Sequence, residues 1–221
     1  MADFAQGPVI VTGMVLSSTP SGDNDRRVVI LTKERGKITA FAKGARRQGS
    51  RLMATTEQFC FGNFKLYEGR TAYNLSEASI TNYFEQLRDD FDGACLGMYF
   101  LELADYCTRE NNDETAMLGL LYQSVRAICK PSLDNRLVRA IYEIKTVVVN
   151  GEFPGLPAQK QLNDSTVYAV DFIENTPVEK LYTFAVSDDV LAELTMLAEG
   201  YRKRFVDRKL KSLDLLSTLG V

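Results

Sequence analysis

A run of basic residues between Arg26 and Arg51 is the part of the sequence best suited to binding a ligand. The window holds nine Lys or Arg residues against one acid, Glu34, for a net charge of +8. The chain has 26 basic and 29 acidic residues, so the remainder carries 17 against 28, or −11. Each cation that neutralises a phosphate releases a counterion, so this window favours a salt-sensitive site for a polyanion. A solvated face without a ligand is the alternative.

The candidate contacts with nucleic acid lie in the second strand-to-strand turn and in the loop after the third strand. They are Lys33, Arg35, Lys37, Lys43, Arg46, Arg47 and Arg51. Glycines in the loop let the backbone come close to a polyanion. Phe41, Tyr67 and Tyr73 are candidate platforms for base stacking, with packing in the core as the alternative for each.

A second basic group, Arg202, Lys203 and Arg204, falls near the end of the last long helix. These residues are a candidate second contact with DNA or with a partner. Cations at this end of a helix also complement its dipole, which is the simpler explanation.

The residue types that are missing exclude most enzymatic chemistry. The chain has no histidine, which removes Ser-His-Asp and Cys-His catalysis. Neither a G-x-x-x-x-G-K-[ST] phosphate loop nor a G-x-G-x-x-G motif is present. The four cysteines, Cys60, Cys95, Cys107 and Cys129, lie far apart, which argues for reduced thiols and against a zinc site.

Carboxylate pairs are the remaining candidates for a metal. Asp89, Asp90 and Asp92, and separately Asp188 and Asp189, are close in sequence. Both groups fall at predicted helix starts, where acids are favourable in any case. We therefore expect no catalytic residues, no metal and no cofactor, with a metal-dependent nuclease as the enzymatic alternative.

The hydrophobic pattern predicts an α+β fold that starts with a barrel. Alternating apolar residues and turn signals predict strands over 9–16, 27–32, 38–43, 59–67 and 71–80. Five short strands with a long connection after the third fit a small closed β-barrel of the OB type. An SH3-like barrel fits the spacing nearly as well.

After Tyr83 the period becomes helical and predicts a central bundle of three helices. Asp113 is a candidate N-cap of the second helix and Ser132 of the third. Short strands are predicted over 166–172 and 181–186, followed by a long helix capped by Ser187. The predicted parts are residues 1–82, 83–157, 158–186 and 187–221, the last being a helix that packs on the helical domain.

Nothing in the sequence predicts a membrane segment. No apolar run approaches the roughly 20 residues that a membrane span needs. Residues 1–8 lack the basic and apolar pattern of a signal peptide. The expected location is the cytoplasm.

Several motifs together resemble the RecO family of bacterial recombination mediators. The strongest lie in the first 80 residues: TGMVL (12–16), LTKERGKI (31–38), AKGARR (42–47), SRL (50–52), LYEGR (66–70) and Glu77. Looser matches are YEIK (142–145), GEFPGL (151–156) and KSLDLL (211–216). The resemblance spans nearly the whole chain.

The resemblance implies an N-terminal OB fold, a helical domain and a compact C-terminal part. It also implies binding of single- and double-stranded DNA, annealing of complementary strands and, with RecR, replacement of single-strand-binding protein by RecA recombinase. In the family, the acidic, apolar tail of single-strand-binding protein docks on the helical domain. Arg139 and Lys145 are the candidate contacts for that tail, unless they are ordinary solvated cations. A nucleoid-associated location in the cytoplasm follows.

Many family members carry a four-cysteine zinc site directly after the G-x-x-P-x-L turn. In this sequence, residues 159–162 are Gln, Lys, Gln and Leu, and no cysteine follows Cys129. We therefore expect a degenerate zinc-finger-like region whose strands are held by packing alone. The alternatives to a mediator are a generic OB-fold nucleic-acid-binding module and a protein-binding adaptor, both without annealing activity.

Overall fold

The computed structural model describes residues 7–158 and 161–219. Most of the segment considered for a signal peptide, and Gln159 and Lys160 of the expected zinc region, lie outside these residues. The chain forms two compact units. The barrel unit comprises Met1–Phe84 and Ala104–Leu118, and the helical unit comprises Glu85–Leu103 and Gly119–Val221. The finer division into four parts stays a prediction.

Five strands form a closed barrel in the barrel unit. They are β1 (Val9–Ser21), β2 (Asp25–Thr32), β3 (Gly36–Ala42), β4 (Phe61–Glu68) and β5 (Tyr73–Asn82). The order around the barrel is β1-β2-β3-β5-β4, and β4 pairs with β1 to close it. All pairs are antiparallel except β3 with β5. The predicted five-stranded OB-type barrel is confirmed.

The barrel core follows from the alternation of side chains along each strand. In β3, Ile38, Ala40 and Ala42 are buried, whereas Thr39 and Phe41 between them are half-buried. Successive residues of a strand point to opposite faces, so the first three residues face the interior. The interior also holds larger apolar residues from the other strands: Val15, Ile30, Phe64 and Leu66.

Two glycines face each other where β1 pairs with β4: Gly13 of β1 is in register with Gly62 of β4. A Cβ atom on Gly13 would lie 2.3 Å from the Leu31 carbonyl oxygen of β2, and one on Gly62 would lie 2.2 Å from the Ser79 carbonyl oxygen of β5. The backbones of β2 and β5 therefore leave no room for a side chain at these two positions, so both need glycine.

Within the residues that the structure describes, seven α-helices account for most of the remaining structure. They are α1 (Leu52–Thr55), α2 (Phe91–Cys107), α3 (Thr115–Ile128), α4 (Asn135–Val149), α5 (Asp164–Asn175), α6 (Asp188–Phe205) and α7 (Ser212–Leu219). The predicted bundle of three helices corresponds to α2, α3 and α4. None of the described helices has both the length and the apolar character needed to cross a bilayer.

Of the predicted helix caps, Ser187 is confirmed as the N-cap of α6, although its side chain forms no capping hydrogen bond, and Ser132 is wrong. Asp113 lies two residues before α3, where its carboxylate accepts a hydrogen bond from the Thr115 N–H at 3.0 Å. The N-cap of α4 is Asp134, not Ser132, and its carboxylate accepts from the Arg136 N–H. Aspartate and serine both offer an oxygen that can cap a helix. The Pro131-Ser132 pair indicated a helix start two residues too early.

The strands predicted over 166–172 and 181–186 are wrong. The first segment lies in helix α5, whose buried residues are Thr166, Ala169, Val170 and Ile173. Their spacing of three and four residues follows the helical period, and this packing outweighs the β-preference of the branched side chains. In the second segment Leu181 and Tyr182 are both buried, which breaks the alternation of a strand.

The C-terminal segment also departs from the prediction, because it forms two helices instead of one. Helix α6 packs on α4 and ends at Phe205, and α7 starts at Ser212. The carboxylate of Glu102 accepts hydrogen bonds from the backbone N–H groups of Lys211 and Ser212, each at 2.9 Å. It thereby satisfies donors at the start of α7 that the helix itself leaves unpaired.

We predict that Gly62→Ala destabilises the barrel unit. The added Cβ would meet backbone atoms of β5, and the strain should cost roughly 1–3 kcal/mol. Urea unfolding followed by tyrosine fluorescence measures the change. Gly7→Ala is the control, because nothing lies within 4 Å of the Cβ added there. Equal stability of Gly62→Ala and the intact chain would contradict the proposed role of the glycine pair.

We also predict that Glu102 makes stability depend on pH. Burial raises the pKa of its carboxyl, but hydrogen bonds from Ser212 and Lys211 and the nearby Arg208 outweigh it, so the pKa lies below the ordinary 4.5. The ionised carboxylate therefore stabilises the fold above pH 4.5, and this contribution is lost as the pH falls through the lowered pKa.

The variant Glu102→Gln should lower the free energy of unfolding by about 1 kcal/mol at pH 7, the usual effect of losing a cap. The loss should shrink once the wild-type carboxyl is protonated. Urea unfolding on both sides of this transition tests the difference, with the exposed Glu152→Gln as control. A loss of equal size at every pH would contradict the role given to the ionised carboxylate.

Candidate nucleic-acid interface

The basic loop after β3 is held against the turn between β1 and β2. The Gly44 N–H donates to the Asp25 carboxylate at 2.7 Å, and the Arg46 N–H donates to the Asn24 carbonyl at 2.8 Å. Gly44 has φ +66°, a conformation that glycine adopts without strain. The loop is therefore fixed at one end of the barrel by its own backbone.

Four cations of this loop form a group that we call the barrel-end cations: Lys43, Arg46, Arg47 and Arg51. All four side chains are exposed. Arg46 donates to the carbonyls of Gly22 and Asp23, each at 3.2 Å. Within the residues that the structure describes, none of the four forms an ion pair with a carboxylate, so their charges are available to an anionic ligand.

Three further predicted cations lie in or next to the turn between β2 and β3, at the other end of the barrel. Lys33 is exposed, Arg35 pairs with Glu68 at 3.4 Å, and Lys37 pairs with Asp105 at 3.1 Å. Strand β3 spans Gly36–Ala42, and six steps at about 3.3 Å each separate the two groups by roughly 20 Å. The structure therefore divides the predicted site into two ends.

The outer face of β3 connects these ends. By alternation, Lys37, Thr39 and Phe41 point outward. Phe41 is paired in register with Arg27 of β2, whose guanidinium donates to the Thr39 hydroxyl at 3.3 Å. In the sequence, Arg27 is one of the nine basic residues of the window and is not singled out as a contact. Its place opposite an outward aromatic residue is a cross-strand relation that requires the pairing register.

The other two candidate stacking residues have different environments. Tyr73 is 8% exposed and belongs to the barrel core, where burial raises the pKa of its hydroxyl. Tyr67 is 43% exposed on β4. Only Tyr67 and Phe41 of the three therefore offer ring surface outside the core.

One cation of the basic window is structural. Arg26 pairs with Glu57 at 2.7 Å and donates to the Met53 carbonyl at 2.9 Å and the Thr56 hydroxyl at 3.1 Å. These contacts fix the segment around α1, which follows the basic loop. A charge count alone gives Arg26 the same weight as Arg47, although only the second is exposed.

The predicted second basic group is divided as well. Arg202 is largely buried, and its Nε lies 3.6 Å from the buried carboxylate of Glu143. Lys203 pairs with Glu199 at 2.7 Å, one turn earlier on α6, and Arg204 is exposed. The structure therefore leaves two of the three cations at the surface.

Arg139, the first candidate for the tail of single-strand-binding protein, contacts the same buried carboxylate, that of Glu143. Glu143 accepts from the Tyr99 hydroxyl at 2.6 Å and from Arg139 Nε at 3.0 Å. The Arg139 guanidinium lies over the Tyr99 ring, 5.5 Å from its centroid. Burial and the neighbouring Glu143 raise the pKa of Tyr99 well above its ordinary value. Arg139 is therefore a paired charge at the edge of a packed core.

Lys145, the second candidate, lies in the interior. Its side chain is 7% exposed, and its ammonium donates to the carbonyls of Ile173, Glu174 and Thr176 at 2.9, 2.7 and 3.0 Å. Burial lowers the pKa of this ammonium. All three hydrogen bonds from the ammonium go to carbonyls at the end of helix α5. This favours a structural role for Lys145 over contact with a partner.

The carboxylates considered for a metal do not come together. Asp90 accepts from the Gly93 N–H at 2.9 Å, next to the start of α2, and Asp188 and Asp189 lie in the first turn of α6. No group of three or more Cys, His, Asp or Glu that could hold a metal occurs within residues 7–158 and 161–219. Their positions agree with the role of acids at helix starts.

Comparison with known proteins matches two consecutive segments of the chain to one family. Residues 8–84 match the family model "Recombination protein O N terminal", and residues 88–158 match "Recombination protein O C terminal". The protein of Acetivibrio thermocellus named DNA repair protein RecO is 24% identical over 94% of this chain and 96% of its own length. The protein of that name from Clostridium perfringens strain 13 is 25% identical over 92% and 95%. One from Alkaliphilus metalliredigens is 32% identical over 65% and 58%.

We predict that Lys145→Met destabilises the helical unit without changing DNA binding. Three carbonyls at the end of α5 would lose their donor, which should cost roughly 2 kcal/mol. Urea unfolding measures the loss, and Lys130→Met is the matched control because Lys130 is exposed. Normal stability combined with weakened binding of a partner would contradict the structural role.

Proposed function

Because the chain belongs to the RecO family of DNA repair proteins, we propose that it is a recombination mediator that acts directly on DNA. In this proposal it binds single- and double-stranded DNA without sequence preference and anneals complementary strands. It also helps RecA recombinase to replace single-strand-binding protein, together with RecR. The two broader conclusions, membership of the family and a role in DNA repair, do not depend on these finer activities.

The observation that carries the proposal is the group of barrel-end cations. Lys43, Arg47 and Arg51 stand exposed on a loop whose backbone is held by Asp25 and Asn24. Holding such a loop in an unbound chain keeps like charges close together, and a phosphate backbone would relieve that repulsion. The loop therefore supports an interface with a polyanion.

The path of the DNA follows from the two groups of cations. We infer that a strand runs along the outer face of β3, from the barrel-end cations past Phe41 towards Lys33, Arg35 and Lys37. Arg35 and Lys37 have acidic partners, so they contribute less than the exposed cations at the opposite end. Phe41, with Arg27 beside it, offers a surface on which a base can stack whatever its identity.

Annealing requires contacts that do not read sequence. Cations that hold phosphates position a strand without selecting bases. When two strands lie on one basic surface, their mutual repulsion is reduced and base pairing drives their association. This mechanism needs no catalytic group, so we propose that the chain is not an enzyme and uses no cofactor.

For the acidic tail of single-strand-binding protein we propose Arg139 as the contact. Its guanidinium keeps part of its surface exposed while it pairs with Glu143, so a carboxylate of the tail can approach it from solvent. Lys145 is less suitable because its donors are occupied. Arg204 and Lys203 stay candidates for a second contact with DNA. The proposed location is the cytoplasm, in association with the nucleoid.

The central test is annealing of two complementary oligonucleotides coated with single-strand-binding protein. The intact chain should accelerate it, and Lys43→Ala/Arg47→Ala/Arg51→Ala should not. With naked single strands, the slope of log K against log salt should become shallower by about 0.7 for each lost phosphate contact, or roughly 2 in total. Arg46 is kept because it also supports the turn at Gly22.

The matched control is Arg126→Ala/Lys130→Ala/Arg136→Ala, which removes three exposed cations from the helical unit. It should anneal and bind like the intact chain. Equal loss in both triple variants would mean that overall charge, and not the barrel-end cations, governs binding. Binding without any acceleration of annealing would reduce the chain to a generic nucleic-acid-binding module, and absence of binding would favour a protein adaptor.

A further inference from the structure

A groove runs along helix α5 in the helical unit, and none of the residues that line it is a proposed DNA contact. Two adjoining cavities, of about 740 Å³ and 650 Å³, share Tyr168, Phe172 and Thr183. Helix α5 forms one wall, and the irregular segment before α6 forms the other. Each cavity has the volume of a typical binding site.

The groove has an ordered apolar lining. Phe172 and Phe184 pack edge to face, with ring centroids 5.1 Å apart and planes at 71°. On the outer side of α5, Tyr168 is 71% exposed and Val167 is 40% exposed. Neighbouring large apolar side chains at the surface are typical of a site that another molecule covers.

The rim of the groove is acidic. Asp164 and Asp171 line it along α5, and Asp188 and Asp189 lie in the first turn of α6. Lys180 also lines the second cavity, but the segment around the groove, residues 161–190, carries six acids against that one lysine, for a net charge of −5. An acidic surrounding of this kind disfavours phosphates and favours lysine and arginine side chains.

We propose that this groove binds a segment of another protein in which apolar side chains are flanked by lysine or arginine. The apolar side chains pack against Tyr168 and Phe184, and the flanking cations face Asp164 and Asp171. The acidic surroundings disfavour DNA and acidic peptides as occupants. The site is therefore opposite in charge to both contacts in the proposed function, and it does not depend on them.

The test uses two fluorescein-labelled synthetic peptides and the full chain. In one peptide leucine and phenylalanine alternate with lysine, and in the other every lysine is replaced by glutamate. The lysine peptide should bind in fluorescence anisotropy, more weakly as salt rises, and the glutamate peptide should not. Tyr168→Ala should weaken binding about tenfold, and Asp171→Lys roughly fivefold.

Two controls separate the groove from general electrostatics and from the DNA site. Glu152→Lys makes the same kind of charge change at an exposed residue outside the groove, and it should leave peptide binding unchanged. Circular dichroism and binding of single-stranded DNA should be normal in Tyr168→Ala, because its side chain is exposed on α5.

Several results would overturn the proposal. The first is that the lysine peptide does not bind, and the second is that Tyr168→Ala binds it as the intact chain does. Equal weakening by Glu152→Lys and Asp171→Lys would assign the binding to overall charge. A dimer in sedimentation that Tyr168→Ala dissociates would place a second copy of the chain in the groove instead of another protein.

Discussion

The closure of the barrel on strand β1 is the constraint on which the position of the two groups of cations depends. This strand of 13 residues pairs with β2 along one edge and with β4 along the other. Gly13 and Gly62 are in register between β1 and β4, and their lack of a side chain lets the backbones of β2 and β5 approach them closely. Closure buries the inward row of apolar side chains and leaves the turns at the two ends of the barrel.

This arrangement explains why one basic stretch of sequence becomes two groups in space. The cations before β3 and at its start lie at one end of the barrel, and those at its end and after it lie at the other. Nearby acids then reduce the charge available at the first end, where Arg35 meets Glu68 and Lys37 meets Asp105. The loop at the second end keeps exposed cations, and Arg46 donates to backbone carbonyls of a neighbouring turn. The proposed contact with DNA therefore depends mainly on Lys43, Arg47 and Arg51.

The helical unit shows how burial changes the meaning of a charged residue. Glu143 is 2% exposed and is balanced by Tyr99, Arg139 and Arg202, and Lys145 is held by three carbonyls. From the sequence, Arg139 and Lys145 are predicted to be surface contacts, because charged and apolar residues alternate closely along α4. In the structure, removing one partner would leave an uncompensated buried group, which is why such residues support the fold. The acidic residues around α5 are the opposite case, because they stay at the surface beside exposed apolar side chains.

The sequence by itself determined the α+β class, the five-stranded barrel, the central helices and the basic segment. These features depend on local periodicity, turn residues and charge, which are read within a few neighbours along the chain. The family resemblance came from the same short motifs. Residue preference was misleading over 164–175, where Thr166, Val167 and Val170 favour a strand but helical packing buries Ala169 and Ile173 on one face. Only the tertiary structure decided which cations are exposed, that Tyr73 lies in the core, and that acids and aromatics meet along α5. Each of these depends on residues far apart in sequence, whose burial and pairing arise only when the chain folds.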